Sequence, residues 1–415
     1  MALYRLLVSV FAVWVLARAA LARDWSALRD RLALGPVAPG PHLWLHAASN
    51  GELASVRPVI EALRAARPGL PLLVTCNSAS GVALAQSWGL CARLSPLDLG
   101  WVARRMHRRW QVVAHIAMES ELWPHRLLAC PGPVLVLGGR LTHGTARGWR
   151  IFGGLQARLL GRVAFLSAQD EGSRARFLAA GLPAQAAGPV VDLKALYAPP
   201  DLRDPALEPA FDRSATWLAA STHEGEEETV LDAHLAARAQ DPGLRLILAP
   251  RHPRRAAEVA RLIAARGLTC ARRSEGEAPE AEVYLADTLG EMALFYRLAG
   301  RVFIGGTLTD RGGHTPYEPA AFGAALIHGP DVANFAAPFA ALDHAGAALR
   351  ITDAATLARA LADLAPAALQ QQRGDAAQQL LRPEADVEDL LKTLLGHLDA
   401  GTLPRQTDRQ NRHIP

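Results

Sequence analysis

Two short stretches pair residues capable of acid, base or anion chemistry with turn residues that would hold them at the edge of an element. In HLWLHAASNGEL (His42 to Leu53), an apolar run breaks at Ser49, Asn50 and Gly51, and Glu52 stands where a helix begins. In DRGGHTPYEPAAFG (Asp310 to Gly323), the adjacent Gly312 and Gly313 precede His314, Thr315, Pro316 and Glu318. A carboxylate in the first position is a candidate general base. One in the second is a candidate acceptor for a ribose diol, and the glycines let backbone approach a ligand closely. We read the two stretches as halves of one active site.

Ser49, Ser221, Thr288 and Thr315 each stand three residues before a glutamate (Glu52, Glu224, Glu291 and Glu318), which is capping-box spacing. For all four carboxylates, capping therefore competes with chemistry. Either role puts them at the carboxyl edge of a sheet, where ligands of open α/β sheets bind. Arg251 and His252 follow an apolar strand on the same edge. With the expected helix starts at Leu289 and Pro316 and the pairs Gly305-Gly306 and Gly312-Gly313, they describe a phosphate cradle that needs no metal. The chain has no P-loop and no G-x-G-x-x-G, which argues against a Walker NTPase or an ordinary dinucleotide oxidoreductase.

The elements that must position these residues alternate from His42 onward. Apolar strands are predicted at Leu72 to Cys76, Val112 to Met118, Val134 to Leu137 and Val163 to Ser167, with helices or turns between them, a parallel doubly wound order. A Pro- and Asp-rich segment interrupts the rhythm. Strands then resume at Thr216 to Ala220, Leu244 to Leu248, Val283 to Ala286, Val302 to Ile304, Ala325 to His328 and Ala348 to Ile351. The expected organisation is an apolar helix over 1–22, an α/β domain over 23–196, a linker over 197–213, a second α/β domain over 214–400 and a polar tail over 401–415.

With 415 residues, half of them hydrophobic, the chain can bury large cores. Four scattered cysteines without C-x-x-C spacing propose neither a zinc site nor a disulfide framework. The net charge of +4 is mild, but Arg104, Arg105, His107, Arg108 and Arg109 cluster, as do Arg251, Arg254 and Arg255. Such clusters suit phosphates or an anionic membrane surface, and solvated helix faces equally. The N-terminal run from Leu6 to Ala17 is short for a spanning helix and is flanked by arginines. It reads as an anchor or interfacial helix, with a cleaved signal peptide as the alternative.

HAASNGE, MESELWP, STHEGEE, PRHPRR, ADTLGEM, GGTLTDRGGHTPYEPAAFG and HGPDVANF occur in that order, and together they resemble the 3-deoxy-D-manno-octulosonic acid (Kdo) transferases. The resemblance implies a GT-B fold, two Rossmann-like domains facing a cleft, and an inverting transfer of Kdo from CMP-Kdo to a lipid A precursor. It implies no cofactor, no metal and no nucleic-acid partner, and it sets the reaction against a membrane surface, at the cytoplasmic face of the inner membrane. Carried over by motif, Glu52 corresponds to the general base and Glu119 to the first glutamate of M-E-x-E-L-W-P, with Glu121 the second. Ser49, Asn50, Gly51 and Arg140 fall on the acceptor side. Arg251, His252, Gly290, Glu291, Gly312, Gly313, His314, Glu318 and Asn334 fall on the donor side. Two departures stand out: Gly144 replaces the second arginine of R-L-S-x-R-S, and Gly188-Pro189-Val190-Val191 lacks the polar residues of G-N-x-K. Lys194 is near the latter but out of register. These departures keep two alternatives open, a GT-B enzyme with another acceptor or sugar and a non-catalytic nucleotide binder.

Overall fold

The computed structural model describes residues 1–152, 154–382 and 387–402. The chain forms two compact units: Met1–Leu196 together with the C-terminal helix, and Tyr197–Arg382. The first is built on six parallel strands, β1 (His42–His46), β2 (Leu72–Cys76), β3 (Cys91–Leu94), β4 (Val112–Met118), β5 (Val134–Gly139) and β6 (Val163–Ala168), in the order 3-2-1-4-5-6. β1 and β2 are buried along their whole length, as strands covered by helices on both faces must be. The burial extends to polar side chains, which need partners: His42 Nδ1 lies 2.8 Å from the Trp110 carbonyl.

β1 leads into helix α3 (Asn50–Ala66). Ser49 is its N-cap and accepts from the Glu52 amide at 3.2 Å. Leu53, Val56, Val59, Ile60 and Leu63 recur at helical spacing, and all are buried against the sheet. Helix α1 (Ala2–Leu21) is longer than the predicted apolar run and, at ~30 Å, matches a bilayer core in length. It rests on the body through Val8 and Ala12, and its Tyr4 hydroxyl donates to Asp98 at 2.5 Å, while Leu6, Val10, Val13 and Trp14 stay exposed. A short helix α2 (Trp25–Arg31), capped by Asp24, follows.

The second unit holds seven parallel strands: β7 (Thr216–Thr222), β8 (Arg245–Pro250), β9 (Cys270–Arg272), β10 (Val283–Leu285), β11 (Arg301–Ile304), β12 (Ala325–His328) and β13 (Ala348–Arg350). Their order is 13-12-11-7-8-10-9, with helices on both faces closing two apolar clusters.

Three expectations change. The segment 197–213 is no free linker, because Leu207 and Phe211 are buried in the core of the second unit. That unit ends at Arg382, not at 400. The helix Val387–Thr402 belongs to the first unit, where Leu390, Leu394 and Leu398 join the cluster around α3 and Arg67 pairs with Asp399 at 2.7 Å. Residues 403–415, most of the expected tail, lie outside the described residues.

Candidate functional site

In the first unit the carboxyl ends of β1 and β4 bring three glutamates together. Glu52 does not complete a reciprocal capping box: its Oε2 accepts from the Ala48 amide at 2.8 Å, one residue before the cap, and Oε1 lies 3.4 Å from the Ser49 hydroxyl. Burial, joined by the negative charges of Glu119 and Glu121, pushes its carboxyl up to about 7, against the pull of the Ala48 amide. A helix start by itself favours the ionised carboxylate. The protein instead poises it near neutrality, where a general base is most effective.

Glu119 follows β4 at φ +48°, a left-handed conformation uncommon for a side chain with a Cβ. Lys194, from the 3-10 turn Leu193–Leu196, brings its ammonium to 3.7 Å from Glu119 Oε1. The lysine that is out of register in sequence is therefore brought to the acidic cluster by the fold. Glu121 is held by the buried His46 ring, Nε2 to Oε2 at 3.1 Å, and accepts from the Trp123 indole at 2.6 Å. Burial alone would raise its pKa, but these bonds hold it below the usual carboxylate range. His46 is in turn fixed by Thr75, and burial lowers its pKa, so it is neutral at pH 7. Two adjacent carboxylates thus acquire opposite tendencies, Glu52 to hold a proton and Glu121 to lose one.

Around Glu52, Asn50 Oδ1 lies 3.4 Å from the Ser80 hydroxyl and Gly51 occupies the first turn of α3. Arg140 follows β5 and makes no hydrogen bond among the described residues. Gly144 lies in the helix His143–Trp149, where His143 Nε2 approaches Arg176 at 3.4 Å.

In the second unit the loops after β7, β8 and β11 converge. His223 and His314 stack with ring centroids 5.1 Å apart and share an Nε2 to Nε2 contact of 2.9 Å. Burial lowers both, His314 to about 4, and Arg251 and His252 add to the effect, so the pair is neutral at pH 7. Arg251 and His252 are exposed; the Arg251 backbone amide donates to the Thr222 carbonyl at 2.9 Å, while its guanidinium makes no hydrogen bond among the described residues. Glu318 sits at the start of the short helix Tyr317–Ala321. Burial raises its pKa, and nearby Arg251 opposes that rise. An exposed arginine, two neutral imidazoles and a half-buried carboxyl around glycine-rich backbone can receive a phosphate and a diol.

Other expected donor-side residues serve the scaffold. Gly312 and Gly313 both adopt positive φ, 76° and 75°, and the Gly312 amide donates to Asp331 at 2.5 Å. Asn334 spends its amide nitrogen on the Arg311 and Gly313 carbonyls, strapping that loop in place. Gly290 turns at φ +85°, and the helix after it begins at Met292, not Leu289. Glu291 pairs with Arg273 at 2.6 Å and bonds Thr288, and these partners hold it below the usual carboxylate range.

The spacing Ser221-x-x-Glu224 proves not to be a cap. Glu224 is exposed, and the helix starts at Glu226 after Gly225 at φ +92°. Fully buried Glu226 accepts from four backbone amides, those of His223, Gly306, Thr307 and Leu308, at 2.7–3.1 Å. It is the clamp that joins the loops after β7 and β11. Glu227 beside it takes Arg255 at 2.6 Å, leaving the exposed Arg251 and Arg254 as the arginines of that cluster open to a ligand.

A family model described as 3-deoxy-D-manno-octulosonic-acid transferase (kdotransferase) matches residues 26–196. The chain is 34% identical to the 3-deoxy-D-manno-octulosonic acid transferase of Bordetella pertussis, over 83% of this chain and 85% of that one. It is 32% identical to that of Haemophilus influenzae, over 72% of each. Among solved structures, a glycosyltransferase from Rickettsia africae superposes with a TM-score of 0.53 at 10% identity, covering 88% of this chain and 99% of the other. At that identity the likeness concerns the fold, two parallel α/β units of the GT-B type.

Proposed function

Since the chain belongs to the 3-deoxy-D-manno-octulosonic acid transferase family, we propose that it is an inverting glycosyltransferase that moves Kdo from CMP-Kdo to a lipid A precursor in lipopolysaccharide core biosynthesis. The observation that carries the reading is Glu52, half-buried at the start of α3 with its carboxyl at about 7. In the reaction an acceptor hydroxyl forms a bond to the anomeric carbon while the bond from that carbon to the CMP phosphate oxygen breaks. Glu52 takes the hydroxyl proton. The electron pair leaves with CMP, whose growing charge is met by Arg251 and loop amides, a preorganised electrostatic contribution. Glu318 serves the ribose diol. Lys194, paired with Glu119, supplies a cation on the acceptor side, where Pro189 and Val191 depart from the family pattern.

On this reading the enzyme works at the cytoplasmic face of the inner membrane, and the exposed apolar side chains of α1 support bilayer contact. The test is the purified full-length chain incubated with CMP-Kdo and a lipid A precursor. CMP release coupled to a product heavier by one Kdo or more is expected. CMP binding with no release, using any acyl disaccharide acceptor, would overturn transfer and leave a nucleotide-binding protein.

A further inference from the structure

A cavity of about 430 Å³ lies between α1 and the body of the first unit, within the size range of small-molecule sites. Val8, Phe11, Val15 and Ala19 of α1 form an apolar wall, and Trp123 lines it from the other side. Within this lining stands Arg126, only 4% exposed. Its Nη2 bonds the Pro96 carbonyl, but Nε and Nη1 have no hydrogen-bond partner. Asp98 balances the charge at ion-pair distance but gives neither Nε nor Nη1 a hydrogen bond. One of its oxygens accepts from the Arg126 amide and the other from Tyr4 and His125, and the guanidinium stays 3.9 Å away. A buried charged donor left unmet costs more than almost any other polar defect.

An occupant that removes this defect must bring anionic oxygen acceptors on an apolar body. A free phosphate would answer Arg126 and leave the apolar wall unmatched. Such an occupant is close at hand, because the outer side of α1 is itself apolar and exposed. Glu52, Glu119 and Glu121 are not among the lining residues, although Trp123 on the cavity wall donates its indole N–H to Glu121 at 2.6 Å. We propose that the cavity holds one anionic phospholipid of the bilayer, its phosphate accepting from Arg126 Nε and Nη1 and an acyl chain lying along α1. The lipid mortars α1 to the body. The inference does not depend on the glycosyl-transfer reading, and its test reads binding alone.

The full-length chain is purified in detergent and titrated with phosphatidylglycerol or the phosphate-free diacylglycerol, with adducts counted by native mass spectrometry. One phosphatidylglycerol per chain is expected, at least tenfold tighter than diacylglycerol, as follows for a charge-assisted contact to the phosphate. Arg126→Gln should weaken that adduct by about tenfold or more. Ala19→Phe, which changes only the cavity wall, should do the same by filling it, and it decides the matter if Arg126→Gln fails to fold. Equal affinity for the two lipids, or an Ala19→Phe variant that binds phosphatidylglycerol normally, would overturn the proposal. So would displacement of the lipid by a phosphorylated acyl disaccharide at stoichiometric concentration, which would assign the cavity to the acceptor.

Discussion

Replacing Glu52 by Gln separates its chemistry from its electrostatics, because the structure gives each a different signature. Gln keeps the shape of the neutral carboxyl and can still accept from the Ala48 amide. The folded carboxyl titrates at about 7, against 4.5 for the unperturbed group. The folded state therefore holds a proton that the unfolded chain has released, and wild-type stability falls as pH rises from 4.5 through 7. At 1.36 kcal/mol per pH unit the ceiling of that loss is about 3 kcal/mol, with solvent at the open side of the site reducing it. Glu52→Gln should therefore match the wild type near pH 4 and exceed it above pH 7.5 by roughly 1–3 kcal/mol, read by denaturant unfolding of the first unit. Turnover should fall by about 10²- to 10⁴-fold, and the rise of kcat/KM with pH, centred near 7 in the wild type, should disappear. A stability difference that does not vary with pH would refute the raised carboxyl. Near-normal turnover would refute the base assignment even if the stability signature held.

Four further outcomes are expected. Arg251→Ala should weaken CMP binding by about one to two decades in calorimetry with unfolding unchanged, since the Arg251 side chain is exposed and hydrogen-bonds nothing among the described residues, and the substitution keeps its backbone bond to Thr222. Glu226→Ala should destabilise the second unit by roughly 3 kcal/mol or more and abolish CMP binding with it, because four buried amides lose their acceptor. A melting curve like the wild type's would refute the clamp. Lys194→Met should raise the pKa that governs kcat/KM, as the acidic cluster loses a cation, and an unmoved profile would show that the Lys194 pair with Glu119 is idle. Deleting residues 1–22 should reduce co-sedimentation with anionic liposomes and lower the melting temperature by a few degrees, because Tyr4, Val8 and Ala12 leave the body.

What could be read in the sequence tracks burial. β2, β4 and β12 fall at their predicted residues because strands buried on both faces must be continuous apolar runs. β3 and β9 went unpredicted because each is an edge strand of three or four residues, half-exposed and carrying arginine. The junction at Glu52 was legible from its turn and cap residues. Its protonation was not, since that depends on burial by the fold and, after it, on Glu119 and Glu121 arriving from β4. Nothing in the sequence sets Glu226 apart from Glu227 and Glu228, which follow it. Only contact with amides some eighty residues away shows it to be a clamp. Lys194 was set aside on register, but a 3-10 turn, invisible in hydrophobic periodicity, carries it to Glu119.

The return of the last helix to the first unit sets a timetable for synthesis. Leu390, Leu394 and Leu398 complete the apolar cluster beside α3, and about 190 residues separate them from Leu196. At ~5–20 residues per second the ribosome needs roughly 10–40 s to cover that distance. During that time the first unit has been made but lacks part of its core, whereas the uninterrupted segment Tyr197–Arg382 can finish folding. A nascent chain stalled or clipped before Val387 would therefore carry a closed nucleotide-side unit and an exposed leucine-lined face on the other. The sixteen-residue helix Val387–Thr402 closes the apolar cluster around α3 only after the whole second unit has been made.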